Sequence, residues 1–389
     1  MHSPVITGWY HSQFGKFDAL DPEQMIAEAG IGAIEHAGLD PEQIDSVHVG
    51  HFNAGFLYQD FPSTLLANSI PALRYKPAVR VENACSTGSA AIHSALQSVL
   101  SGQSKHALVL GFEKMNTLPT AEVGKVLLKC CYTREEAEIE GGFAGVFGVI
   151  AGDYFARYGD QSDALAMIAA KNHANGVLNP YAHMRRDFDF DFCRNPSEKN
   201  PFVAGPLKRT DCSLITDGAA ALIISREDAV GDARQAVRFC AAVQVNDYLP
   251  LSRRDPTWFE GGARAWQQAL QEADLGLSDL SLVETHDCFT IAELIEYEAM
   301  GLAERGQGGR VIAEGITRKD GRLPVNPSGG LKSKGHPIGA TGVSMHVMAA
   351  MQLSGQAGDM QLAKADRAGV FNMGGAAVTN YVSILETVK

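Results

Sequence analysis

Along this chain, short apolar runs alternate with longer stretches of helix-forming residues, and the alternation continues nearly from end to end. EQMIAEAGIGAIEHAG (23–38) reads as a helix leading into the strand VHVGHF (47–52). AVRVENA (78–84) reads as strand, STGSAAIHSALQSVLSG (86–102) as helix, and HALVLGFEK (106–114) as strand. Later, SLVETHDCF (281–289) is a strand running into a loop, followed by the helix TIAELIEYEAMGL (290–302). GHPIGATGVSMHVMAAMQLSG (335–355) is a helix with a glycine-rich entry, and RAGVFNMGGAAVTNYVSILE (367–386) is a strand, a glycine turn and a strand. This order predicts an α/β fold with helices packed on sheet faces.

The pattern also repeats. CSTGSAAIHSA from Cys85 and HPIGATGVSMH from His336 share one plan: a reactive side chain, a small-residue turn, then a small-residue helix. DGAAALIIS (217–225) likewise resembles GGAAVTNYVSIL (374–385), a small-residue turn feeding a β-branched strand. Two halves of one design follow, 1–117 with 205–235 and 236–389, with Cys85 and His336 at matching helix N-termini. The stretch 118–204 fits neither half and reads as an inserted region rich in charge and loop signals.

Composition narrows the class. A chain of 389 residues suits two domains or one large α/β assembly. With 45% hydrophobic and 20% charged residues it can bury a full core, which excludes a disordered protein. A net charge of −12 argues against nucleic acid as a partner, yet leaves room for one local basic site for an anionic ligand. No run reaches the roughly 18 apolar residues of a membrane span. The N-terminus lacks the pattern of a signal peptide, and the tail LETVK carries no targeting address. Seven cysteines without a CxxC pair suit a reducing compartment, so the expectation is a soluble cytoplasmic enzyme.

Three stretches carry candidate chemistry. In VENACSTGSAAIHSA (81–95), Cys85 sits at a helix N-terminus, where partial positive charge and free N–H groups favour the thiolate, the reactive form. Packing as a small hydrophobe is the competing role for that thiol. In NPSGGLKSKGHPIGATG (326–342), five glycines and two prolines shape a loop that presents His336 just before a helix. The loop lacks GxxxxGK[ST], so it is no P-loop. In ETHDCFTIAE (284–293), His286, Asp287 and Cys288 lie at the end of a strand, where open α/β sheets place their chemistry. Without CxxC or HxxxH spacing no metal site is expected.

Together NACSTGSAA, KNHANGVLNPYA (171–182), TDGAAALIIS (216–225) and GHPIGATG resemble the motifs of a thiolase, and the resemblance covers the chain nearly end to end. Where degradative and biosynthetic thiolases have Asn-Glu-Ala-Phe, this chain has His286-Asp287-Cys288-Phe289. Where those enzymes carry a second catalytic cysteine in a Cys-x-Gly loop, this chain has FNMGG, with Phe371 assigned to the cysteine position. Both departures resemble the thiolases related to sterol carrier protein X, whose His-Asp-Cys-Phe loop supplies the second cysteine.

The resemblance implies the thiolase fold: two similar βαβαβαββ halves packed as layered α/β/α/β/α, with an inserted loop domain. It implies CoA-dependent cleavage of a 3-ketoacyl-CoA, or the reverse Claisen condensation, in lipid metabolism such as fatty acid β-oxidation. Cys85 would carry the acyl group, His336 would activate it, and Cys288 would act as acid and base. His286 with His336 would hold an enolate oxygen, and the N–H of Cys85 with one near Gly374 would hold a tetrahedral oxyanion. Ser213 is matched to a pantetheine contact; the nearby basic pair Lys208-Arg209 could meet CoA phosphates, a solvated surface pair being the alternative. No bound cofactor is expected, CoA and acyl-CoA being substrates. A homodimer is implied, and a small zinc-ribbon/OB-fold partner protein is compatible with this branch. The alternatives are a thiolase-fold aldolase or lyase and a non-catalytic acyl-CoA-binding subunit.

Overall fold

The computed structural model describes residues 3–231 and 235–388. Nine strands form the main sheet: β1 (Pro4–His11), β2 (Ser46–Gly50), β3 (Ala78–Val81), β4 (His106–Glu113), β5 (Gly218–Arg226), β6 (Val237–Asn246), β7 (Leu282–Glu284), β8 (Arg367–Gly374) and β9 (Thr379–Thr387). Their order is β3-β2-β4-β5-β1-β6-β9-β8-β7. The principal helices are α1 (Pro22–Ala37), α2 (Thr87–Leu100), α3 (Gly142–Tyr158), α4 (Ser162–Val177), α5 (Glu260–Ala273), α6 (Thr290–Ala299) and α7 (Ile338–Leu353).

Strand pairing makes the internal repeat explicit. β1 runs antiparallel to β5, β5 antiparallel to β4, and β4 parallel to β2. In the second half β6, β9, β8 and β7 reproduce that sequence of antiparallel, antiparallel and parallel pairs. The halves meet edge to edge through a short β1–β6 ladder at Val5 with Arg238 and Ile6 with Val237. Helix α1 packs on the first half and α5 on the second, while α2 and α7 pack on each other between the strands. All sixteen residues of α7 are buried, as a helix in a central layer must be. The two halves thus share one large central sheet with helices packed against it, the α/β class expected from the sequence.

The small residues of both motifs are explained by this crossing. A Cβ at Gly88 would lie 2.7 Å from the Val343 nitrogen, and one at Gly342 would lie 2.3 Å from the Ser89 nitrogen. At Gly339 a Cβ would approach the Phe112 carbonyl oxygen to 2.2 Å and that of Gly50 to 2.7 Å. These are backbone atoms and cannot swing aside. Gly339→Ala should therefore destabilise the fold by at least about 1–3 kcal/mol, read as a lower midpoint in denaturant. An unchanged midpoint would contradict the close approach.

Some elements differ from the sequence expectation. β1 and β6, which join the halves, were not among the predicted strands. The apolar run of β1 is broken by Thr7 and Gly8; Thr7 hydrogen-bonds the Ser225 hydroxyl at 2.9 Å, and Gly8 admits Ala37 at the end of α1. The region 118–204, read as charge and loop, contains the helices α3 and α4. Gly145 and Gly148 look like loop residues, but their missing side chains let α3 lie against Glu140 and Ala204. Helix α4 packs on α6 and on the turn Gly330–Ser333, and so lies over the chemistry-bearing loops.

Candidate active site

Four loops converge where α2 and α7 begin. The first is the turn from β3 to α2. Ala84 adopts φ of +49°, a left-handed conformation uncommon for a residue with a Cβ. The Ser86 and Thr87 amides close the turn on the carbonyls of Asn83 and Ala84, each at 3.1 Å. Cys85 is thereby held just before the helix, buried to 2% exposure.

The second loop presents His336. The Thr341 hydroxyl donates to the Pro337 carbonyl at 2.9 Å and lies 2.7 Å from Nδ1 of His336. With its one proton committed to the carbonyl, that oxygen accepts from Nδ1–H. The lone pair of His336 therefore sits on Nε2, the state a base requires.

His286 has the opposite tautomer. The Asn372 amide nitrogen lies 2.8 Å from its Nδ1 and 3.3 Å from the Cys85 carbonyl, while the Ser89 hydroxyl donates to the Asn372 oxygen at 2.8 Å. A carbonyl can only accept, so the amide NH2 faces both Cys85 and His286, and Nδ1 of His286 is the acceptor. Its proton is on Nε2, a buried atom with no hydrogen-bond partner among the described residues. Burial pushes His286 down to about 4, so the ring is neutral. The ring is fully buried beside Cys85 and His336 rather than on the wall of the cavity that they line.

Sulfur of Cys85 and one ring nitrogen each of His286 and His336 lie within 4.8 Å of one another. The rings meet edge to face at 5.0 Å between centroids. Cys85 is held well below the usual thiol range, by the Cys130 thiol first and then by the two imidazoles, against the opposing effect of burial. Cys288 goes the other way: burial, then the nearby Cys85, push it well above that range. One thiol is set to ionise and the other to keep its proton, the separation that marks an acid–nucleophile pair.

Cys85, Cys288, His336 and Ser213 line one cavity of about 330 Å³, whose remaining wall is mostly apolar and includes Leu127, Phe143 and Phe289. The Ser213 amide donates to the Cys288 carbonyl at 2.9 Å, which fixes that wall to the His-Asp-Cys-Phe loop. Asp287 lies in the same loop but turns inward. It accepts from the amides of Leu331 at 2.6 Å and Lys332 at 3.1 Å and from the Asn172 side chain at 2.7 Å, tying this loop to the one carrying His336. Gly374 ends β8 against the Cys85 turn; a Cβ there would meet the Asn83 carbonyl oxygen at 2.6 Å.

Three sequence expectations need revision. Phe371 is not the residue at the missing-cysteine position: it is fully buried and packs near Trp266, and strand alternation brings Asn372 to the site instead. Lys208 is no phosphate ligand, being buried in an ion pair with Asp211 at 2.8 Å, whereas Arg209 does line the cavity. Cys130, to which the sequence assigns no role, is buried in the same core cluster as Cys85 and acts on its ionisation. Only the spacing of Asn372 from the Gly374-Gly375 turn signalled its place; nothing local signalled Cys130.

The chain is similar to known proteins over nearly its whole length. Residues 5–188 match the model of the thiolase N-terminal domain, and residues 242–387 match that of the thiolase C-terminal domain-like family. An acetyl-CoA acetyltransferase of Methanothermobacter thermautotrophicus is 35% identical, with 99% of both chains covered. Sterol carrier protein 2 of Oryctolagus cuniculus is 32% identical over 94% of this chain and 68% of its own. Among solved structures, the Ltp2-ChsH2(DUF35) aldolase superposes with a TM-score of 0.85 at 20% identity, over 99% of this chain and 98% of that one.

Proposed function

The chain belongs to the thiolase family, and from that premise we propose that it transfers acyl groups between carbon and CoA through an acyl-Cys85 intermediate. The observation that carries this reading is the convergence of Cys85, His286 and His336 within 4.8 Å, with Cys288 on the wall of the same cavity. Family membership, with relatives named acetyl-CoA acetyltransferase, supports thiolase-type acyl transfer.

In the thiolysis direction, Nε2 of His336 takes the thiol proton as the Cys85 sulfur attacks the β-keto carbon of a 3-ketoacyl-CoA. The carbon–carbon bond then breaks, leaving the acyl group on sulfur. The electron pair departs as the enolate of acetyl-CoA, which the protonated Cys288 converts to acetyl-CoA. Incoming CoA loses its thiol proton to the Cys288 thiolate and takes the acyl group. In this reading Nε2–H of His286 holds the enolate oxygen, and the N–H groups of Cys85 and the Gly374 turn hold the tetrahedral one. The apolar wall suits an acyl chain, Ser213 a pantetheine contact, and Arg209 a CoA phosphate. No helix among the described residues is long and apolar enough to cross a membrane. The proposed setting is the cytoplasm, with the chain as a homodimer that light scattering would register at twice the chain mass.

Asn372→Leu should lower thiolysis by about 10²–10³-fold, the usual cost of one oxyanion donor, because His286 loses the acceptor geometry that holds its proton on Nε2. Rates with and without the substitution, at equal Cys85 alkylation, measure this.

The assay that tests the function is CoA-dependent cleavage of a series of 3-ketoacyl-CoAs, beginning with acetoacetyl-CoA. Cleavage that requires free CoA supports thiolysis. The fold likeness to a DUF35-associated aldolase motivates the second reading, carbon–carbon cleavage without CoA and with a small partner. That reading predicts unchanged cleavage in Cys85→Ala.

A further inference from the structure

We propose that Gly124 sets the acyl specificity of the catalytic cavity: its missing side chain keeps an apolar arm of that cavity open for an extended hydrocarbon chain. The proposal rests on the reading of the cavity as an acyl-CoA site and adds to it the class of acyl group.

Gly124 lies in the interior of the helix Thr120–Leu127, in the inserted region. Glycine costs a helix interior more than any residue but proline, so its presence there calls for a reason. The fold supplies none. The backbone at Gly124 is helical and not left-handed, so no special conformation demands glycine. No neighbour crowds it either. Apart from its own helix backbone and chain neighbours, a Cβ there would meet no atom of the described residues within 4 Å.

What Gly124 does face is the cavity that contains Cys85. Thr120, Gly124 and Leu127 line it together, and their i, i+4, i+7 spacing puts them on one helix face. Val123 and Val126, off that face, are buried in the core. A Cβ on Gly124 would therefore enter the cavity, and the open space beside it is cavity space. The start of α3 lines the same cavity through Gly141, Phe143 and Ala144. The two segments are neighbours: a Cβ on Gly142 would lie 3.7 Å from the Gly124 carbonyl oxygen. Apart from the Thr120 hydroxyl, no side chain here offers a hydrogen bond. Such a surface suits hydrocarbon and would leave the amides of pantetheine unpaired. Acetyl has a single methyl group to place against it, whereas a chain of many methylenes can fill it.

The test is calorimetric binding of two thioethers that cannot acylate Cys85, S-dodecyl-CoA and S-ethyl-CoA, to the parent, Gly124→Ala and Gly124→Leu. The parent should bind the dodecyl compound more tightly. One methylene in an apolar pocket is worth about 10–200-fold. Gly124→Leu should therefore lower the ratio of dodecyl to ethyl affinity by about tenfold or more, and Gly124→Ala should lower it less. An unmoved ratio, or equal weakening of both ligands, overturns the proposal. The denaturation midpoint of Gly124→Ala should rise, because alanine favours the helix and meets nothing. A lower midpoint would show that the fold itself needs glycine there, and would overturn the proposal as well. Binding needs no turnover, so the ratio can shift although no 3-ketoacyl-CoA is cleaved, and cleavage of acetoacetyl-CoA can stand although the ratio stays.

Discussion

Cys85→Ala is expected to lose thiolysis by about 10⁴-fold or more, since removal of a covalent nucleophile leaves only binding and oxyanion contacts. The side chain is small and lies at a helix entry, so the fold should persist; circular dichroism and an unchanged denaturation midpoint would show that. What disappears is the sulfur on which two imidazoles and a neighbouring thiol converge. His336 then has no proton to take, and the acyl group has nowhere to rest between the two CoA molecules. Activity retained in this variant would mean that carbon–carbon cleavage proceeds without an acyl-enzyme, as the lyase reading requires.

Cys288→Ala should separate the two half-reactions. Its thiol is held protonated by burial and by the charge on Cys85, so it is the acid available when the enolate departs. Loss of a positioned acid or base typically costs about 10²–10⁴-fold. Overall turnover should fall by that amount, in both directions, while Cys85 still becomes acylated, because its own activation comes from His336 and His286. Acylation from a simple thioester, where no enolate leaves, should be nearly unaffected in a single-turnover measurement. Full activity of Cys288→Ala would remove this residue from the mechanism.

Much of this site was legible in sequence because the fold is built from two copies of one unit. Cys85 and His336 stand at equivalent helix entries, and the glycines around them mark the crossing of α2 with α7. The His286-Asp287-Cys288 loop was legible because a short strand ends there. Asn372 was missed by one residue: strand alternation decides which of Phe371 and Asn372 faces the cavity, and a glycine-rich stretch gives no independent phase. Cys130 was hidden for a different reason. It reaches Cys85 only through the packing of the inserted region, and no local pattern records such a contact. Thr341 was equally silent, since a threonine in a buried helix reads as packing until its hydroxyl is seen beside His336.

The central claim is that Cys85 carries the acyl group. The protein should be incubated with acetoacetyl-CoA in the absence of free CoA, and its intact mass and peptide map taken. The account predicts an acetyl-sized adduct on the peptide containing Cys85, absent in Cys85→Ala and discharged when CoA is added. No adduct from this or any longer 3-ketoacyl-CoA, in protein whose Cys85 remains alkylatable, would contradict it.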